Sequence, residues 1–203
     1  MEVSAVEASG PLTARVRRSR IPTLVVMGVT GAIILTVAIL VNQSAVTADG
    51  TTAVTLTGAS SGAPPTVGKL APDFEAATVD GRVVRLSDFL GRPVWLTFGA
   101  SWCQPCRSEN VDIQATYETW KDEGVVVLAI FISEDPTSVA DYASRVGLSY
   151  LQVADPNTKI ASAYRILGIP SHYFIDRLGV LRQVRIGTLD PAGMDAALTE
   201  IQR

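Results

Sequence analysis

Two unbroken apolar runs constrain the fold of this chain more than any other feature. Residues 94–98 (VWLTF) and residues 125–132 (VVVLAIFI) are rich in β-branched and aromatic side chains and carry no charge. Runs of this length without polar alternation are typical of strands that are buried on both faces, as in parallel sheets. Both faces then need helices to cover them. We therefore predict an α/β domain.

Helices and further strands are predicted around these two runs. Four helices are expected, at residues 103–123, 135–146 and 157–164 and from Asp190 onward. Short strands complete the sheet, at residues 74–79, 82–86, 151–153, 172–175 and 180–186. The last two strands form a hairpin, so the sheet is expected to contain an antiparallel pair as well as parallel strands.

Residues 23–41 form the most hydrophobic stretch of the chain and account for much of its positive mean hydropathy of +0.27. These 19 residues contain no charge, and a helix of that length spans about 29 Å, close to the hydrocarbon core of a bilayer. Several arginines lie just before it, at Arg15, Arg17, Arg18 and Arg20. The positive-inside rule then predicts a cytoplasmic segment at residues 1–22, a transmembrane signal-anchor helix at residues 23–41 and an extracytoplasmic remainder.

A cleaved signal peptide is the competing interpretation of this segment. The small residues Val46, Thr47 and Ala48 would suit a cleavage site, although the apolar run is longer than the roughly 7–15 residues usual in a signal peptide. A buried core helix is disfavoured, because such helices seldom lack a polar stripe over this length. Both main interpretations export the rest of the chain.

The chain after the apolar segment divides into a linker and a domain. Residues 42–68 are rich in Thr, Ser, Ala and Gly, which predicts a flexible linker with a root-mean-square span of roughly 30 Å. Residues 69–203 are the predicted folded domain, with 13 Lys and Arg against 17 Asp and Glu. This acidic balance excludes a basic surface for nucleic acid, so no nucleic-acid partner is expected.

The sequence Trp102-Cys103-Gln104-Pro105-Cys106 carries the clearest chemical signal. It follows a buried strand and opens a helix, where free backbone N–H groups and the helix dipole favour a thiolate. Cys103 is therefore the predicted nucleophile. Cys106 lies one helical turn further on and can attack the resulting mixed disulfide. Trp102 is expected to shield one side of the pair.

Other uses of two cysteines are less consistent with the sequence. A purely structural disulfide across so short a loop removes little entropy from the unfolded chain. Zinc needs two further ligands, and the chain has no other cysteine and a single histidine, His172. Covalent haem attachment needs a histidine after the second cysteine, where Arg107 stands. We therefore predict a redox-active dithiol without a metal or cofactor.

Residues 98–106 (FGASWCQPC) resemble the active-site segment of the thioredoxin superfamily. Residues 69–203 as a whole are similar to its membrane-tethered extracytoplasmic branch, the TlpA/ResA-like thiol-disulfide oxidoreductases. Residues 71–74 (APDF) and 168–176 (GIPSHYFID) carry the rest of the resemblance. It implies a thioredoxin-like fold, with a central mixed sheet flanked by helices. It also implies a cis Ile169–Pro170 bond beside the dithiol, where the Ile169 backbone, Pro170 and Trp102 would contact substrate.

Two positions bear on how protons reach the dithiol. Cytoplasmic thioredoxins carry a buried Asp six residues before the first cysteine, and this chain has Thr97 there. Glu109, three residues after Cys106, matches a carboxylate that the ResA-like branch places near its active site, and it is the third predicted catalytic residue. The alternative for Glu109 is a solvated helix carboxylate. His172 is either a packed core histidine or a proton donor near the site.

The resemblance implies the reduction of protein disulfides, such as the haem-site cysteines of apocytochrome c, with electrons from a membrane thiol carrier. The same chemistry run in reverse would form disulfides, and sequence alone leaves the direction open. A thiol peroxidase is disfavoured, since Ala100 and Leu96 stand where peroxiredoxins carry Thr or Ser and Pro. A redox-inert binding module is disfavoured by the intact cysteine pair.

Overall fold

The computed structural model describes residues 55–57 and 64–203. The predictions of a cytoplasmic segment, a transmembrane helix and most of the linker therefore concern residues outside the described part. Within the described part, no helix combines the length and the apolar character that a membrane span requires. The short strand β1 falls within the predicted linker, at Thr55–Thr57.

Eight strands and four helices are described in these residues. The strands are β1 (Thr55–Thr57), β2 (Asp73–Ala77), β3 (Val83–Arg85), β4 (Val94–Gly99), β5 (Val126–Ile132), β6 (Leu151–Asp155), β7 (Ser171–Ile175) and β8 (Leu181–Ile186). The helices are α1 (Gln104–Trp120), α2 (Pro136–Val146), α3 (Lys159–Ala163) and α4 (Pro191–Ile201). Two short 3-10 turns accompany them, at Leu86–Phe89 and Lys121–Glu123.

A five-stranded mixed sheet forms the centre of the domain, in the order β6-β5-β4-β7-β8. Strands β4, β5 and β6 pair in parallel, whereas β7 and β8 pair antiparallel to the strands beside them. Strands β1, β2 and β3 form a separate antiparallel sheet. The central sheet flanked by helices confirms the predicted thioredoxin-like architecture.

Strand β4 is buried on both faces, as its apolar run predicts. Leu96 and Phe98 pack on one face into a core that includes Tyr164. Trp95 lies on the other face and stacks on Phe174, with ring centroids 5.4 Å apart. Helices α1, α2 and α4 cover this second face, because all three contribute side chains to the core around Trp95. Packing on both faces of β4 therefore fixes the position from which the following loop and helix start.

The helix boundaries follow local capping. Asp135 caps α2 as predicted, since its side chain accepts hydrogen bonds from the backbone N–H groups of Thr137 and Ser138. The prediction that Asn157 caps the next helix is wrong. The fully buried Asp155 instead accepts from the N–H groups at the start of α3, and this helix begins two residues later than expected. A carboxylate at the end of β6 reaches these donors across the turn.

Tyr164 connects the core to the segment before β2. Its buried hydroxyl donates a hydrogen bond to the carbonyl oxygen of Pro72 over 2.7 Å. We expect Tyr164→Phe to lower the free energy of unfolding by about 1–3 kcal/mol, since it leaves that carbonyl without its donor. Denaturant titration measures the change. The same substitution at the half-buried Tyr117 is the control. Equal losses in the two variants would contradict the role given to the Pro72 contact.

Candidate active site

The two cysteines lie at the junction of β4 and α1 and form a disulfide. Cys103 is the N-cap of α1, and its sulfur accepts a hydrogen bond from the backbone N–H of Cys106 over 3.2 Å. Pro105 stands in the first turn, where its missing N–H leaves no helix bond unmade. When the disulfide opens, this N–H and the helix dipole stabilise negative charge on the Cys103 sulfur.

Both cysteine residues are almost fully buried. Cys103 is 7% exposed and Cys106 is 3% exposed. Ala100, Ile132 and Ile169 pack against the pair, while the neighbouring Trp102 is 60% exposed. An exposed aromatic ring therefore stands beside a nearly buried disulfide.

The residues predicted to form the site are brought to one end of the central sheet: Trp102, Cys103, Cys106, Glu109, Ile169 and Pro170. The Ile169–Pro170 peptide bond is cis, as the resemblance implies. Pro170, Cys106 and Glu109 line one small cavity of about 10 Å³, which has room for about one water molecule. Among the described residues, no group of three His, Cys, Asp or Glu side chains is placed to hold a metal ion.

Glu109 is a buried carboxylate on the inner face of α1. It is 4% exposed, so it is not a solvated helix residue. Its Oε1 accepts a hydrogen bond from the backbone N–H of Leu189 over 2.6 Å. Its Oε2 has no hydrogen-bond partner among the described residues. A buried carboxylate with one unsatisfied oxygen is unusual, because burial strongly disfavours an unpaired polar atom.

His172 lies on β7 directly opposite Thr97 on β4 and is fully buried. Its Nδ1 accepts a hydrogen bond from the Nε1–H of Trp95 over 3.3 Å, and the hydroxyl oxygen of Thr97 is 3.1 Å away. Its Nε2 lies 3.2 Å from Oε1 of Glu109, off the direction of a straight hydrogen bond. The single histidine of the chain is thus packed in the core and also in contact with the predicted catalytic carboxylate.

Glu134 is a residue of the site that the sequence analysis did not single out. Its carboxylate accepts hydrogen bonds from the backbone N–H of Ser101, over 2.7 Å, and from the Ser101 hydroxyl. Ser101 immediately precedes Trp102 and Cys103. The sequence contained a signal for this contact. Glu134 comes shortly after β5 and Ser101 comes shortly after β4, and the carboxyl ends of paired parallel strands meet at one edge of the sheet.

We expect Glu134→Ala to increase hydrogen exchange at the Ser101 amide of the oxidised protein by about tenfold or more, because this amide loses a charged acceptor. Glu134→Gln keeps one oxygen for the amide and should give a smaller increase. Amides in the middle of β4 serve as the internal reference for global stability. An unchanged Ser101 rate in Glu134→Ala would mean that this carboxylate does not hold the turn.

Comparison with known proteins places this geometry among thioredoxin-like proteins. The family model described as the AhpC/TSA family matches residues 67–184. Thiol-disulfide oxidoreductase ResA of Geobacillus kaustophilus strain HTA426 is 34% identical over 136 residues, covering 67% of this chain and 78% of that relative. ResA of Geobacillus thermodenitrificans strain NG80-2 is 32% identical over the same length, with the same coverage.

Solved structures with a similar fold include two from other bacteria. A thiol:disulfide interchange protein of the thioredoxin family from Chlorobium tepidum TLS has a TM-score of 0.62 and 28% identity, covering 70% of this chain and 100% of that one. The exposed lipoprotein thioredoxin Etrx1 of Streptococcus pneumoniae strain TIGR4 has a TM-score of 0.54 and 30% identity, covering 63% and 98%. The cysteine pair, the fold and these similarities point to the same class of chemistry.

Proposed function

We propose that this chain, which belongs to the AhpC/TSA family and is a thiol-disulfide oxidoreductase of the ResA type, reduces disulfide bonds of other proteins outside the cytoplasm. The observation that carries the proposal is the Cys103–Cys106 pair at the start of α1, where the Cys106 N–H donates to the Cys103 sulfur. A sulfur in this position is stabilised as a thiolate, which is the attacking species in disulfide exchange.

The first step is attack by the Cys103 thiolate on a substrate disulfide. A new bond forms between the Cys103 sulfur and one substrate sulfur, and the other substrate sulfur leaves with the electron pair of the broken bond. The product is a mixed disulfide. The Cys106 N–H no longer faces a charged sulfur, but it stays in place for the second step.

The second step is attack by Cys106 on the Cys103 sulfur. Cys106 gives up its thiol proton, the Cys103–Cys106 bond forms, and the substrate leaves as a second thiolate. The substrate is thereby reduced by two electrons and the dithiol is oxidised. The observed disulfide is the product of this step.

Glu109 is our candidate acceptor for the Cys106 proton. Both residues line the same water-sized cavity, and Oε2 of Glu109 has no other partner among the described residues. A single bridging water would suffice to carry the proton between them. In the reverse direction, the same carboxyl group would return the proton to Cys106 as the disulfide opens.

An extended substrate segment fits the surface around the disulfide. Trp102, which directly precedes Cys103, is exposed, and Ile169 of the cis Ile169–Pro170 segment packs against the pair. An open groove of about 360 Å³ begins at Ile132, which packs against the cysteines, and includes Leu167, which is 94% exposed. We propose that apolar side chains flanking the substrate cysteine occupy this groove.

The membrane tether and the electron supply complete the proposal. An uncharged segment at residues 23–41 behind four arginines favours an anchored domain outside the cytoplasm. A reductant in an oxidising compartment must itself be reduced, and a tether would hold it near a membrane thiol donor. Substrates with closely spaced cysteines, such as apocytochrome c, suit this chemistry. The Streptococcus pneumoniae neighbour is itself described as an exposed lipoprotein.

Cys106→Ser in the full-length chain should trap substrates, because Cys103 still attacks but nothing releases the mixed disulfide. Expressed in the native host, this variant is expected to accumulate reducible adducts in the membrane fraction with extracytoplasmic proteins that carry paired cysteines. Mass spectrometry of the adducts identifies them. Cys103→Ser combined with Cys106→Ser is the matched control and should trap nothing.

A second measurement, the reduction potential of the wild-type chain, tests the direction of electron flow. A potential of about −270 mV, like that of thioredoxin, supports a reductant, whereas a potential of about −120 mV supports an oxidant that forms disulfides. Adducts confined to cytoplasmic proteins would overturn the proposed location. A Cys103 single variant that still exchanges disulfides would overturn the assignment of the nucleophile.

The proton step can be isolated with Ellman's reagent. Reduced protein releases a first thionitrobenzoate when Cys103 attacks and a second when Cys106 resolves the mixed disulfide, and only the second phase is independent of reagent concentration. We expect Glu109→Gln to slow this second phase by at least about tenfold at neutral pH, because the proton acceptor is lost. Glu118→Gln, the same change at an exposed site on α1, is the control. Equal pH profiles for wild type and Glu109→Gln would refute the role of Glu109.

A further inference from the structure

We infer that His172 is a positioning residue that holds Oε1 of Glu109 and so reserves Oε2 for the proton of Cys106. The inference rests on the proposed function of Glu109 as the partner of Cys106. His172 does not line the cavity beside Cys106. Its role in the reaction is therefore indirect and depends on its contact with Glu109. The contacts on its two ring nitrogens carry the argument.

The tautomer of His172 follows from its neighbours. The indole Nε1 of Trp95 can only donate a hydrogen bond, so Nδ1 of His172, 3.3 Å away, must accept with its lone pair. The hydroxyl oxygen of Thr97 also lies 3.1 Å from this nitrogen, whose single lone pair accepts from the indole N–H. A neutral imidazole with a lone pair on Nδ1 carries its single proton on Nε2.

Nε2 of His172 lies close to Glu109, although it makes no hydrogen bond to any described residue in the disulfide form. Nε2 lies 3.2 Å from Oε1, the oxygen that already accepts the Leu189 N–H. Oε1 therefore has two donors near it, and Oε2 has none among the described residues. A carboxyl group held in this way carries an added proton on Oε2. The proposed role requires the hydrogen bond from Nε2 to Oε1 to form once the cysteine pair is reduced, as catalytic hydrogen bonds often tighten only in the reacting complex.

Trp95 fixes the orientation of the His172 ring. Its indole N–H donates to Nδ1, so Nε2 is the ring nitrogen that faces Glu109.

Few other titratable groups lie around this pair. Cys106 is the partner across the cavity. Tyr142 of α2 and Tyr150, next to β6, meet the side chain of Asn110 on α1, with hydrogen bonds of 3.0 and 3.3 Å. Burial raises the pKa of Tyr150, and Tyr142 and Glu109 raise it further, so its hydroxyl remains neutral. Asp190, beside Leu189, is exposed and caps α4 through the Gly193 N–H.

The proton balance of resolution is then complete. As the Cys106 sulfur forms its bond to Cys103 and the substrate thiolate departs, the thiol proton passes to Oε2, directly or through one water. His172 keeps its own proton throughout and stabilises the ionised carboxylate that must be present beforehand. Its removal makes this carboxylate less stable, so the reactive form appears only at higher pH.

His172→Leu tests this in the full chain, with the second phase of the Ellman's reaction followed against pH. We expect the midpoint of the profile to move up by about one pH unit, which slows the phase about tenfold below the midpoint. His172→Gln can place an amide N–H near the position of Nε2 and should restore most of the wild-type profile. Tyr164→Phe, on the opposite face of the sheet, controls for loss of stability and should leave the midpoint unchanged.

Trp95→Phe provides a second variant. It removes the indole donor that orients the His172 ring and should move the midpoint in the same direction as His172→Leu. An upward shift in Trp95→Phe supports the inference even if His172→Leu does not fold. A midpoint that stays at the wild-type value in the variants that fold overturns it.

The experiment separates this inference from the proposed function. In a Glu109→Gln background, His172→Leu should have no further effect on the profile, because His172 acts through Glu109. A further shift in that background overturns the inference and leaves the role of Glu109 intact. A wild-type profile in Glu109→Gln alone refutes the proton-acceptor role itself.

Discussion

The hydrogen bond from the Cys106 N–H to the Cys103 sulfur is the interaction on which the rest of the site depends. It exists because α1 begins at Gln104, after a short turn that follows a strand buried on both faces. The apolar run of β4 fixes the position of the strand end, and the helix then presents its free N–H groups at that end. This contact distinguishes the two sulfurs, although the cysteines are only one helical turn apart, and it is the basis for proposing Cys103 as the nucleophile.

Three buried polar side chains lie around this junction, one on α1 itself, one just after β5 and one on β7. Glu134 after β5 holds the turn before Cys103, Glu109 of α1 lies beside Cys106, and His172 of β7 lies under Glu109. Buried acids destabilise a fold unless donors satisfy them. Both oxygens of Glu134 are satisfied by Ser101, whereas one oxygen of Glu109 has no partner in the part of the chain that the structure describes. This contrast fits a carboxylate that shapes the loop beside one that we propose to exchange a proton.

Much of the fold could be predicted from the sequence, because its signals are local. The run at residues 94–98, the cysteines that follow it and the Asp135 cap each depend on neighbouring residues. The burial of Glu109 could not be predicted, since a carboxylate on an amphipathic helix faces solvent or core according to packing with distant segments. Its contact with His172 joins residues far apart in the chain. The cap of α3 was wrongly assigned to Asn157 because Asp155 reaches the same donors from the end of a strand.

The near-complete burial of both cysteines determines which reductants can act on the oxidised protein. Disulfide exchange needs an approach along the line of the two sulfurs, and the packing of Ile132 and Ile169 narrows that approach. A small thiol in free solution gains no binding energy that would hold it there, whereas a protein that docked beside Trp102 would gain it. Under the proposed function, we therefore expect the oxidised state to persist in a pool of small thiols and to react faster with a docked protein reductant.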